Sequence, residues 1–470
     1  MFIGRSEQLA QLDSFLQRVR SDPDGKPGKA LLIRGRRRVG KSRLVEEFLE
    51  RADVPHLFFA ASGRPPREEL RLFADEVAAS SLPRADLFKG VELNSWDAAL
   101  RLLASALPEE GSVVVLDEVP YLIAADEHFE GTLQRAFDRE LSKQRVVLIG
   151  IGSDLSMMEA LNGYGRPFHQ RASEMVVPPL TPSEVGAMLG LAPADAFDAY
   201  LVTGGLPLVC TEWPDGASLW DYLGQVVTNP TSALLVSAER SLAAEFPADV
   251  QARTVLGVIG TGERTFTTIG RESGGIAAGS LSRALKLLAA KRVVAVEEPL
   301  STKGSKERRY RVADPYLRFW LAFLGPHMNE IERGRGDRVL SRIRASWTSW
   351  RGRAIEPVLR EALELLAPPV IRTEEGVPGV VGGYWTRTND PEIDIVVADR
   401  APVAKRILAV GSIKWLEHAP FDRRDLGRLQ AHRLQVPGAA VDTPLLAVSR
   451  SGCELGGVTH VGPDELIGDA

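Results

Sequence analysis

The sequence contains only two cysteines among its 470 residues, Cys210 and Cys453. Two cysteines are too few for a disulfide framework or a cysteine zinc site, so both are expected to act as small apolar side chains. The N-terminus lacks a basic segment followed by an apolar stretch, and no window reaches the ~18 consecutive apolar residues of a membrane span. These absences argue against a disulfide-rich secreted protein and predict a cytoplasmic protein with no membrane partner.

A strong net charge is also missing, but the charge is unevenly distributed. The chain carries a net charge of −5, whereas residues 251–350 hold 18 Lys and Arg against 9 Asp and Glu. A basic block of this kind is typical of a nucleic-acid-binding surface and also of an Arg-rich solvated surface. Charge alone therefore does not decide between a surface for a polyanionic partner and a solvated surface.

Short apolar runs alternate with helical periodicity through the first 180 residues. Such alternation predicts an α/β domain whose parallel sheet is covered by helices on both faces. The runs predicted to form its strands are residues 30–35, 56–61, 112–118, 145–153 and 174–180.

The segment GRRRVGKS, residues 35–42, fits the pattern G-x-x-x-x-G-K-S/T and lies between a predicted strand and a predicted helix. Backbone amides at the start of that helix would bind phosphates, and Lys41 would reach the β- and γ-phosphates. The Ser42 hydroxyl would bind Mg²⁺. The residues predicted to contact the nucleotide here are Gly35, Arg38, Val39, Gly40, Lys41, Ser42 and Arg43. The motif therefore predicts a nucleoside triphosphate and Mg²⁺ as cofactors.

Polar residues follow the next two apolar strands. Asp117 and Glu118 form an acidic pair, which is costly at the end of an apolar strand unless it serves a cation or a reacting water. Asp117 would hold Mg²⁺ through water, and Glu118 would polarise the attacking water. Ser153 would contact the γ-phosphate or that water, or cap the following helix. Arg166 or Arg171 would serve as an arginine finger for a neighbouring copy in a homo-oligomer, or is a surface arginine. The predicted catalytic residues are Glu118, Lys41, Ser153 and Arg166, and the predicted metal ligands are Ser42 and Asp117.

Two further segments resemble one family. FIGRSEQL, residues 2–9, is similar to the N-terminal box of archaeal-type ATPases, a branch of the STAND class close to AAA+ proteins, and GGLPL, residues 204–208, resembles its Gly-x-Pro element. The resemblance implies ATP rather than GTP, and a switch in which ATP and ADP favour different domain arrangements, with nucleotide between the ATPase and helical domains. It also implies a set of adenine-side residues: Phe2, Ile3, Gly4 and Arg5, with Gly205 and Pro207.

Residues 249–325 resemble a winged helix, with residues 280–293 as the recognition helix and 300–307 as the wing loop. The resemblance implies contact with double-stranded DNA, although winged helices in this class also pack against the ATPase core. The outward-facing residues predicted for DNA contact are Ser282, Arg283 and Lys286 on the helix, and Lys303, Lys306, Arg308, Arg309 and Arg311 on the wing and its strands.

Residues 346–470 resemble a nuclease-like domain of the PD-(D/E)XK fold. The resemblance places Glu356, Asp394 and Lys414 at the positions of that family's site, but Ser412 stands where a Glu is expected. Loss of one carboxylate is expected to weaken a Mg²⁺ site. The domain is therefore predicted to be a degenerate one that binds DNA or a protein, with an active Mg²⁺-dependent DNase as the alternative.

Together these features predict an ATP-hydrolysing switch that binds DNA. The alternatives are an ATP-regulated DNase and a protein-binding switch without a nucleic-acid role. The predicted partners are ATP and ADP, double-stranded DNA, a protein and a second copy of the chain. The predicted domains are a P-loop ATPase domain at 1–180, a helical lid at 181–248, the winged helix at 249–325, a linker at 326–345 and the nuclease-like domain at 346–470.

Overall fold

The computed structural model describes residues 2–21, 26–246, 250–260 and 262–468. The chain divides into two compact units, the first comprising residues 1–179 with 206–208, and the second residues 180–205 with 209–470. The first division lies next to the boundary predicted at residue 180. No single helix in the described ranges is long and apolar enough to cross a membrane; only a pair bent by 103°, Pro182–Leu189 with Pro193–Thr203, passes on length and composition together.

The first unit is built on a five-stranded sheet in which all the described pairings are parallel. Its strand order is β2-β3-β4-β1-β5. The central strands β3 and β4 are buried along their whole length, as expected for short apolar runs covered on both faces. The strands are β1 (Lys29–Arg34), β2 (His56–Ala60), β3 (Ser112–Asp117), β4 (Val146–Gly152) and β5 (Ala172–Val176).

Helices follow the strands of this unit in alternation. Leu9, Leu12, Leu16 and Val19 form the buried stripe of the first helix, at the spacing typical of an amphipathic helix. The helices are α1 (Ser6–Ser21), α2 (Lys41–Ala52), α3 (Pro66–Ala79), α4 (Trp96–Ala106), α5 (Val119–Ala125), α6 (Phe129–Arg139) and α7 (Leu155–Leu161). Since the sheet is parallel, the carboxyl ends of β1, β3 and β4 meet at one edge, where ligands bind in open α/β sheets.

The second unit begins with a run of helices. One of them starts with a capping box, in which Thr181 accepts from the Glu184 amide and Glu184 accepts from the Thr181 amide. The helices are α8 (Pro182–Leu189), α9 (Pro193–Thr203), α10 (Pro207–Cys210), α11 (Leu219–Val226), α12 (Ala233–Glu245), α13 (Val250–Ile259), α14 (Phe266–Glu272) and α15 (Ala278–Ala290). The short α10 begins in the segment that belongs to the first unit.

A two-stranded antiparallel sheet, β6 (Val294–Glu297) and β7 (Arg309–Val312), follows α15. Arg264, just before α14, forms an isolated antiparallel bridge with Tyr310 of β7. Three helices, α13, α14 and α15, precede this small sheet along the chain. The segment after β7 is helical, α16 (Pro315–Phe319) with a π-helical turn at Trp320–Leu324, and its aromatic side chains are buried as core residues.

The linker predicted at residues 326–345 is wrong. Helix α17 (Met328–Glu332) and the first part of the 31-residue helix α18 (Gly336–Leu366) occupy it. The Gly- and Arg-rich composition suggested a linker, but Val339 and Ile343 are fully buried and continue the apolar spacing of the later helix. Gly336 is also packed, because a Cβ there would lie 2.1 Å from the carbonyl oxygen of Val227.

A mixed five-stranded sheet completes the second unit, in the order β12-β11-β10-β9-β8. Neighbours among β8, β9 and β10 are antiparallel, whereas β10 and β11, and β11 and β12, are parallel. The strands are β8 (Val380–Trp385), β9 (Glu392–Ala398), β10 (Ile407–Lys414), β11 (Leu445–Ser449) and β12 (Thr459–Val461), accompanied by α19 (Arg423–Arg433) and α20 (Pro463–Ile467).

Candidate functional site

The loop between β1 and α2 carries the predicted phosphate motif. Arg38 and Gly40 both adopt left-handed backbone conformations, with φ of 71° and 85°, and these turn the loop into the first residue of α2. Gly35 is required for a different reason, since a Cβ there would lie 2.4 Å from the Val177 carbonyl oxygen. Val39 is fully buried beneath the loop. The loop therefore presents backbone amides at a helix N-terminus, which favours anions.

Lys41 lies inside this loop rather than in solvent, with 6% of its surface exposed. Its ammonium donates to the carbonyl oxygens of Gly35 at 2.9 Å and Arg36 at 3.0 Å, and to the Ser153 hydroxyl at 2.9 Å. Burial lowers the pKa of Lys41 to about 8, against the opposing effect of the Glu118 and Asp117 charges. A desolvated cation of this kind interacts strongly with a phosphate that enters the loop.

The two predicted Mg²⁺ ligands are brought together. The Ser42 hydroxyl donates to Asp117 Oδ2 at 2.6 Å, and the Glu118 amide donates to Asp117 Oδ1 at 2.8 Å. Burial raises the pKa of Asp117, so its charged form calls for a nearby cation. A hydroxyl and a carboxylate oxygen are suitable ligands for Mg²⁺, which completes its shell with phosphate and water. The residues present thus fit the ion that the motif implies.

Glu118 and Ser153 are also in contact, since the Ser153 hydroxyl donates to Glu118 Oε1 at 2.8 Å. Glu118 adopts φ 54°, an uncommon conformation for a non-glycine residue, and it immediately precedes α5. The helix-capping alternative for Ser153 is wrong, because Asp154 caps α7 by accepting from the Met157 amide. Ser153 instead links Lys41 to Glu118.

The predicted adenine-side residues are partly placed next to the phosphate loop. Arg5 is 5% exposed, and its guanidinium donates to the Val39 carbonyl oxygen at 3.1 Å. Pro207 lies beside the loop too, because its Cγ is 3.7 Å from the position that a Cβ on Gly40 would take. Phe2 has its ring 6.0 Å from the Arg51 guanidinium. Contact with adenine stays a prediction for the residues of this group.

Three arginines predicted near the nucleotide are paired with carboxylates. Arg166 forms an ion pair with the buried Glu130, and Arg171 donates to Asp138 at 2.9 Å and 3.0 Å. Arg43 is exposed and pairs with glutamates of its own helix. A finger role for Arg166 or Arg171 stays a prediction and would require the ion pair to open. The Arg43 side chain adds no support for a nucleotide contact.

The nuclease-like positions are brought together only in part. Asp394 Oδ2 accepts from the Ser412 hydroxyl and from the Ile413 amide, both at 2.9 Å. Burial, and next the Asp394 carboxylate, raise the pKa of Glu356 to about 8, so this group is mainly protonated at neutral pH. Lys414 is ion-paired with Asp425 and, within the described residues, makes no ion pair with Asp394.

This cluster differs from the set that the resemblance requires. The Glu356 carboxyl group accepts from the Arg360 guanidinium at 3.1 Å. Across the described ranges, no group of three or more His, Cys, Asp or Glu is placed to hold a metal ion. The Ser412 hydroxyl donates to Asp394 in place of an additional carboxylate, and the Lys414 ammonium is paired with Asp425. The roles assigned to Ser412 and Lys414 therefore stay predictions.

The wing residue Arg309, predicted for DNA contact, lies against the C-terminal sheet. Its guanidinium donates to Glu392 at 2.7 Å, Glu263 at 3.0 Å and Asn389 at 2.9 Å. It also lies 4.3 Å from the ring centre of Trp385. Arg309 is 9% exposed, so its predicted DNA contact is wrong in this structure.

Other wing arginines are also paired, Arg311 with Glu297 and Arg308 with Glu298 at 2.6 Å. On α15, Leu281, Leu285 and Leu288 are buried while Arg283 and Lys286 are exposed, and DNA contact by this helix stays a prediction. Lys303 and Lys306 on the wing loop are exposed as well.

Sequence reasoning missed two residues beside the phosphate loop. Arg37 donates to the Tyr121 hydroxyl at 3.4 Å, and Tyr121 lies on α5 one turn after Glu118. The sequence does mark the two residues in part, because Arg37 is inside the phosphate motif and Tyr121 is three residues beyond the acidic pair Asp117 and Glu118. Their proximity depends on the packing of the phosphate loop beside β3, which no local pattern reports.

Comparison with known proteins agrees with the chemistry of the first unit. Residues 1–149 match the family model described as an AAA ATPase domain, which supports an ATP-binding domain of the AAA type over this range. Residues 320–426 match a model described as archaeal and bacterial proteins of unknown function, and this match assigns no activity. An uncharacterised protein of Methanocaldococcus jannaschii, MJECL04, is 24% identical over 367 residues, which cover 77% of each chain.

Two solved structures show a distant likeness. The Walker-type ATPase PABY2304 of Pyrococcus abyssi has a TM-score of 0.47 at 20% identity, covering 68% of this chain and 96% of its own. The ORC2 protein of Aeropyrum pernix has a TM-score of 0.47 at 14% identity, covering 73% and 96%. A likeness at this level carries no argument about the function of this chain.

Proposed function

We propose that this protein is an ATP-binding and ATP-hydrolysing P-loop ATPase that acts as a nucleotide-dependent switch. The observation that carries the proposal is the hydrogen-bonded group of Lys41, Ser42, Asp117, Glu118 and Ser153 at one edge of the parallel sheet. An anion-binding loop, a buried cation, a pair of oxygen ligands and a carboxylate base are the parts that phosphoryl transfer requires.

Each residue has a distinct role in this proposal. Lys41 neutralises the β- and γ-phosphates, and Ser42 and Asp117 would hold Mg²⁺, which would supply further positive charge to the transition state. Glu118 accepts a proton from the attacking water, and Ser153 orients both the Glu118 carboxylate and the Lys41 ammonium. Arg5 stabilises the phosphate loop by donating to the Val39 carbonyl oxygen. Pro207 is proposed to contact the adenine base.

We expect Lys41→Ala to lose measurable ATP binding, a drop of at least ~100-fold in affinity if the buried ammonium contributes about 3 kcal/mol to phosphate binding. Because the empty-site pKa of Lys41 is about 8, wild-type affinity should fall as the pH rises through this value. Above it, the fall approaches about tenfold per pH unit, since the deprotonated amine must take up a proton to bind phosphate. Titration with a fluorescent ATP analogue from pH 6.5 to 9.5 measures both effects.

The matched control is Lys89→Ala, which removes an exposed lysine of the same unit and should bind ATP like wild type. Lys41→Ala should fold, because burial disfavours the charged ammonium and its removal relieves that cost. A folded Lys41→Ala protein that binds ATP normally would exclude the proposed site.

We also propose that the protein contacts double-stranded DNA through the exposed face of α15 and the wing loop. Support comes from the exposed and outward-facing Arg283, Lys286, Lys303 and Lys306, which carry positive charge on two adjacent parts of the winged-helix arrangement. Phosphate contacts of this kind position a protein on a duplex. Arg309 and Arg311 are excluded from the proposed surface because they are ion-paired within the unit.

The Arg283→Ala/Lys286→Ala double variant should bind a duplex about tenfold more weakly and lower the slope of log K against log salt by roughly 2. Fluorescence anisotropy with a labelled duplex at several salt concentrations measures both quantities. The control, Arg333→Ala/Arg338→Ala, removes the same charge from two exposed arginines at the start of the α18 region. Equal losses in the two double variants would favour a general charge effect, and no duplex binding by wild type would favour the protein-binding alternative.

The proposal does not extend to DNA cleavage or to a defined oligomer. Ser412 stands where a carboxylate is expected and Lys414 is paired with Asp425, and neither observation favours a Mg²⁺-dependent DNase. The nuclease-like domain is assigned instead to binding of DNA or a protein partner.

A further inference from the structure

Arg37 is a cation in the phosphate loop, and none of the residues that the structure describes pairs with it as an anion. Within the described residues it forms no ion pair, and its side-chain hydrogen bond goes to the neutral Tyr121 hydroxyl at 3.4 Å. Two other arginines of this unit are already neutralised, Arg34 by Glu159 and Glu174 and Arg166 by Glu130. A guanidinium held only by a weakly placed hydroxyl is available for an anion that arrives from solvent.

The position of Arg37 identifies the end of the loop at which it acts. The Lys41 ammonium donates to the carbonyl oxygens of Gly35 and Arg36, so Arg37 is the next residue along the backbone that surrounds this ammonium. The charge of Arg37 is close enough to contribute to lowering the pKa of Lys41, after the larger effect of burial. Lys41 also contacts Ser153, which contacts Glu118, so this end of the loop faces the residues proposed for hydrolysis.

Tyr121 is held in place from two sides. It belongs to α5, the helix that starts directly after Glu118, and its amide donates to the Glu118 carbonyl oxygen at 2.9 Å. On its other side lies Gly63, which has φ 74° and whose added Cβ would be 3.7 Å from the Tyr121 ring. Tyr121 is nevertheless 38% exposed, so its side chain is accessible from solvent.

The loop that carries Gly63 is itself fixed by a buried carboxylate. Glu69 is 1% exposed and accepts from the Ser62 amide at 2.9 Å, the Ser62 hydroxyl at 2.6 Å and the Arg64 amide at 2.8 Å. Glu69, residues 62–64, Tyr121 and Arg37 therefore form a continuous series of contacts that ends at the phosphate loop. These contacts fix the position of the Arg37 side chain in the absence of nucleotide, next to the position that the terminal phosphate would take.

We propose that Arg37 contacts the γ-phosphate of ATP, and that the Tyr121 hydroxyl holds its guanidinium when that phosphate is absent. The pair would thus make the site distinguish a nucleoside triphosphate from a diphosphate. The inference rests on the proposed function, because it requires ATP to bind this loop. Its physical basis is the stronger interaction of a guanidinium with a phosphate dianion than with a neutral hydroxyl.

The test compares the affinities of ADP and of a non-hydrolysable ATP analogue for the full chain by isothermal titration calorimetry. Arg37→Ala should weaken analogue binding about tenfold, the size of one charge-assisted contact, and change ADP binding less than about twofold. Arg37→Gln keeps a donor for Tyr121 but removes the charge, and it should lose analogue affinity to the same extent. Tyr121→Phe should keep or increase the preference for the analogue, since the phosphate contact is made by Arg37.

Arg71→Ala, which removes an exposed arginine on α3, is the control and should match wild type for both nucleotides. Equal weakening of ADP and analogue in Arg37→Ala would overturn this inference while leaving the proposed function in place, provided that Lys41→Ala binds neither nucleotide. Loss of the preference in Tyr121→Phe would overturn the holding role assigned to the hydroxyl. Failure of wild type to bind either nucleotide would reject the proposed function and this inference together.

Discussion

Glu118→Gln should bind ATP within about threefold of wild type and hydrolyse it roughly 10²–10⁴ times more slowly, the usual contribution of a positioned general base. The amide has the shape of the carboxylate and can still accept from the Ser153 hydroxyl, which lies 2.8 Å from Glu118 Oε1. It cannot accept a proton from water. The backbone conformation at φ 54° costs about the same for Gln as for Glu, so the substitution should change chemistry rather than folding.

Phosphate release under single-turnover conditions, together with ATP affinity, separates the two effects. Glu127→Gln is a suitable control because Glu127 is an exposed carboxylate in the same unit that does not touch the site. Normal turnover by Glu118→Gln would show that another residue activates water. A parallel loss of ATP affinity would indicate that Glu118 mainly supports the phosphate loop through Ser153 and Lys41.

Arg351→Ala should destabilise the second unit by about 3–5 kcal/mol, because it removes one side of a buried ion cluster. Arg351 is fully buried on α18, and it donates to Asp198 at 2.8 Å, to both oxygens of Glu417 at 2.6 Å and 2.7 Å, and to the Trp415 carbonyl oxygen at 3.1 Å. Asp198 is 5% exposed, and burial raises its pKa, so its negative charge depends on the arginines around it. Arg450 would remain as its second partner.

Urea denaturation followed by tryptophan fluorescence reports mainly on this unit, because seven of the eight tryptophans belong to it and only Trp96 lies in the first unit. Arg353→Ala, an exposed arginine two residues along the same helix, should change the free energy of unfolding by less than about 0.5 kcal/mol. A loss below about 1 kcal/mol in Arg351→Ala would mean that the cluster is compensated by water or by Arg450 alone.

The parallel sheet and the phosphate site were predictable because their signals are local. A fully buried strand such as β3 reads as an uninterrupted β-branched run, and the phosphate motif fixes its own loop, helix start and lysine. Asp117 and Ser153 follow from the same logic, because parallel strands bring their carboxyl ends to one edge. Strand β12 and helix α20 of the second unit lie in a tail whose glycines carry no periodic pattern, so no local signal marks them.

Long-range pairing explains the predictions that did not hold. The partner of Arg309 is 83 positions away in Glu392, and nothing near residue 309 distinguishes a buried ion pair from a DNA contact. Residues 326–345 were predicted to be a linker because they are rich in glycine and arginine. Their few apolar residues do have helical spacing, but the elements that bury them are distant in the sequence. Lys414 lies at the expected strand position, but its ammonium forms an ion pair with Asp425 on α19.

Leu300, which follows the β6 strand of the wing, is 2% exposed and belongs to the hydrophobic core of the C-terminal sheet together with Ile393, Val396 and Val410. Its amide donates to the Gly383 carbonyl oxygen of β8 at 2.8 Å, and the adjoining Thr302 amide donates to Pro437 at 3.1 Å. The segment after β6 is therefore part of the core of the C-terminal sheet. A chimera joined between β7 and β8 would separate this leucine from the core that it fills, so an exchange of the C-terminal sheet should include the segment between β6 and β7.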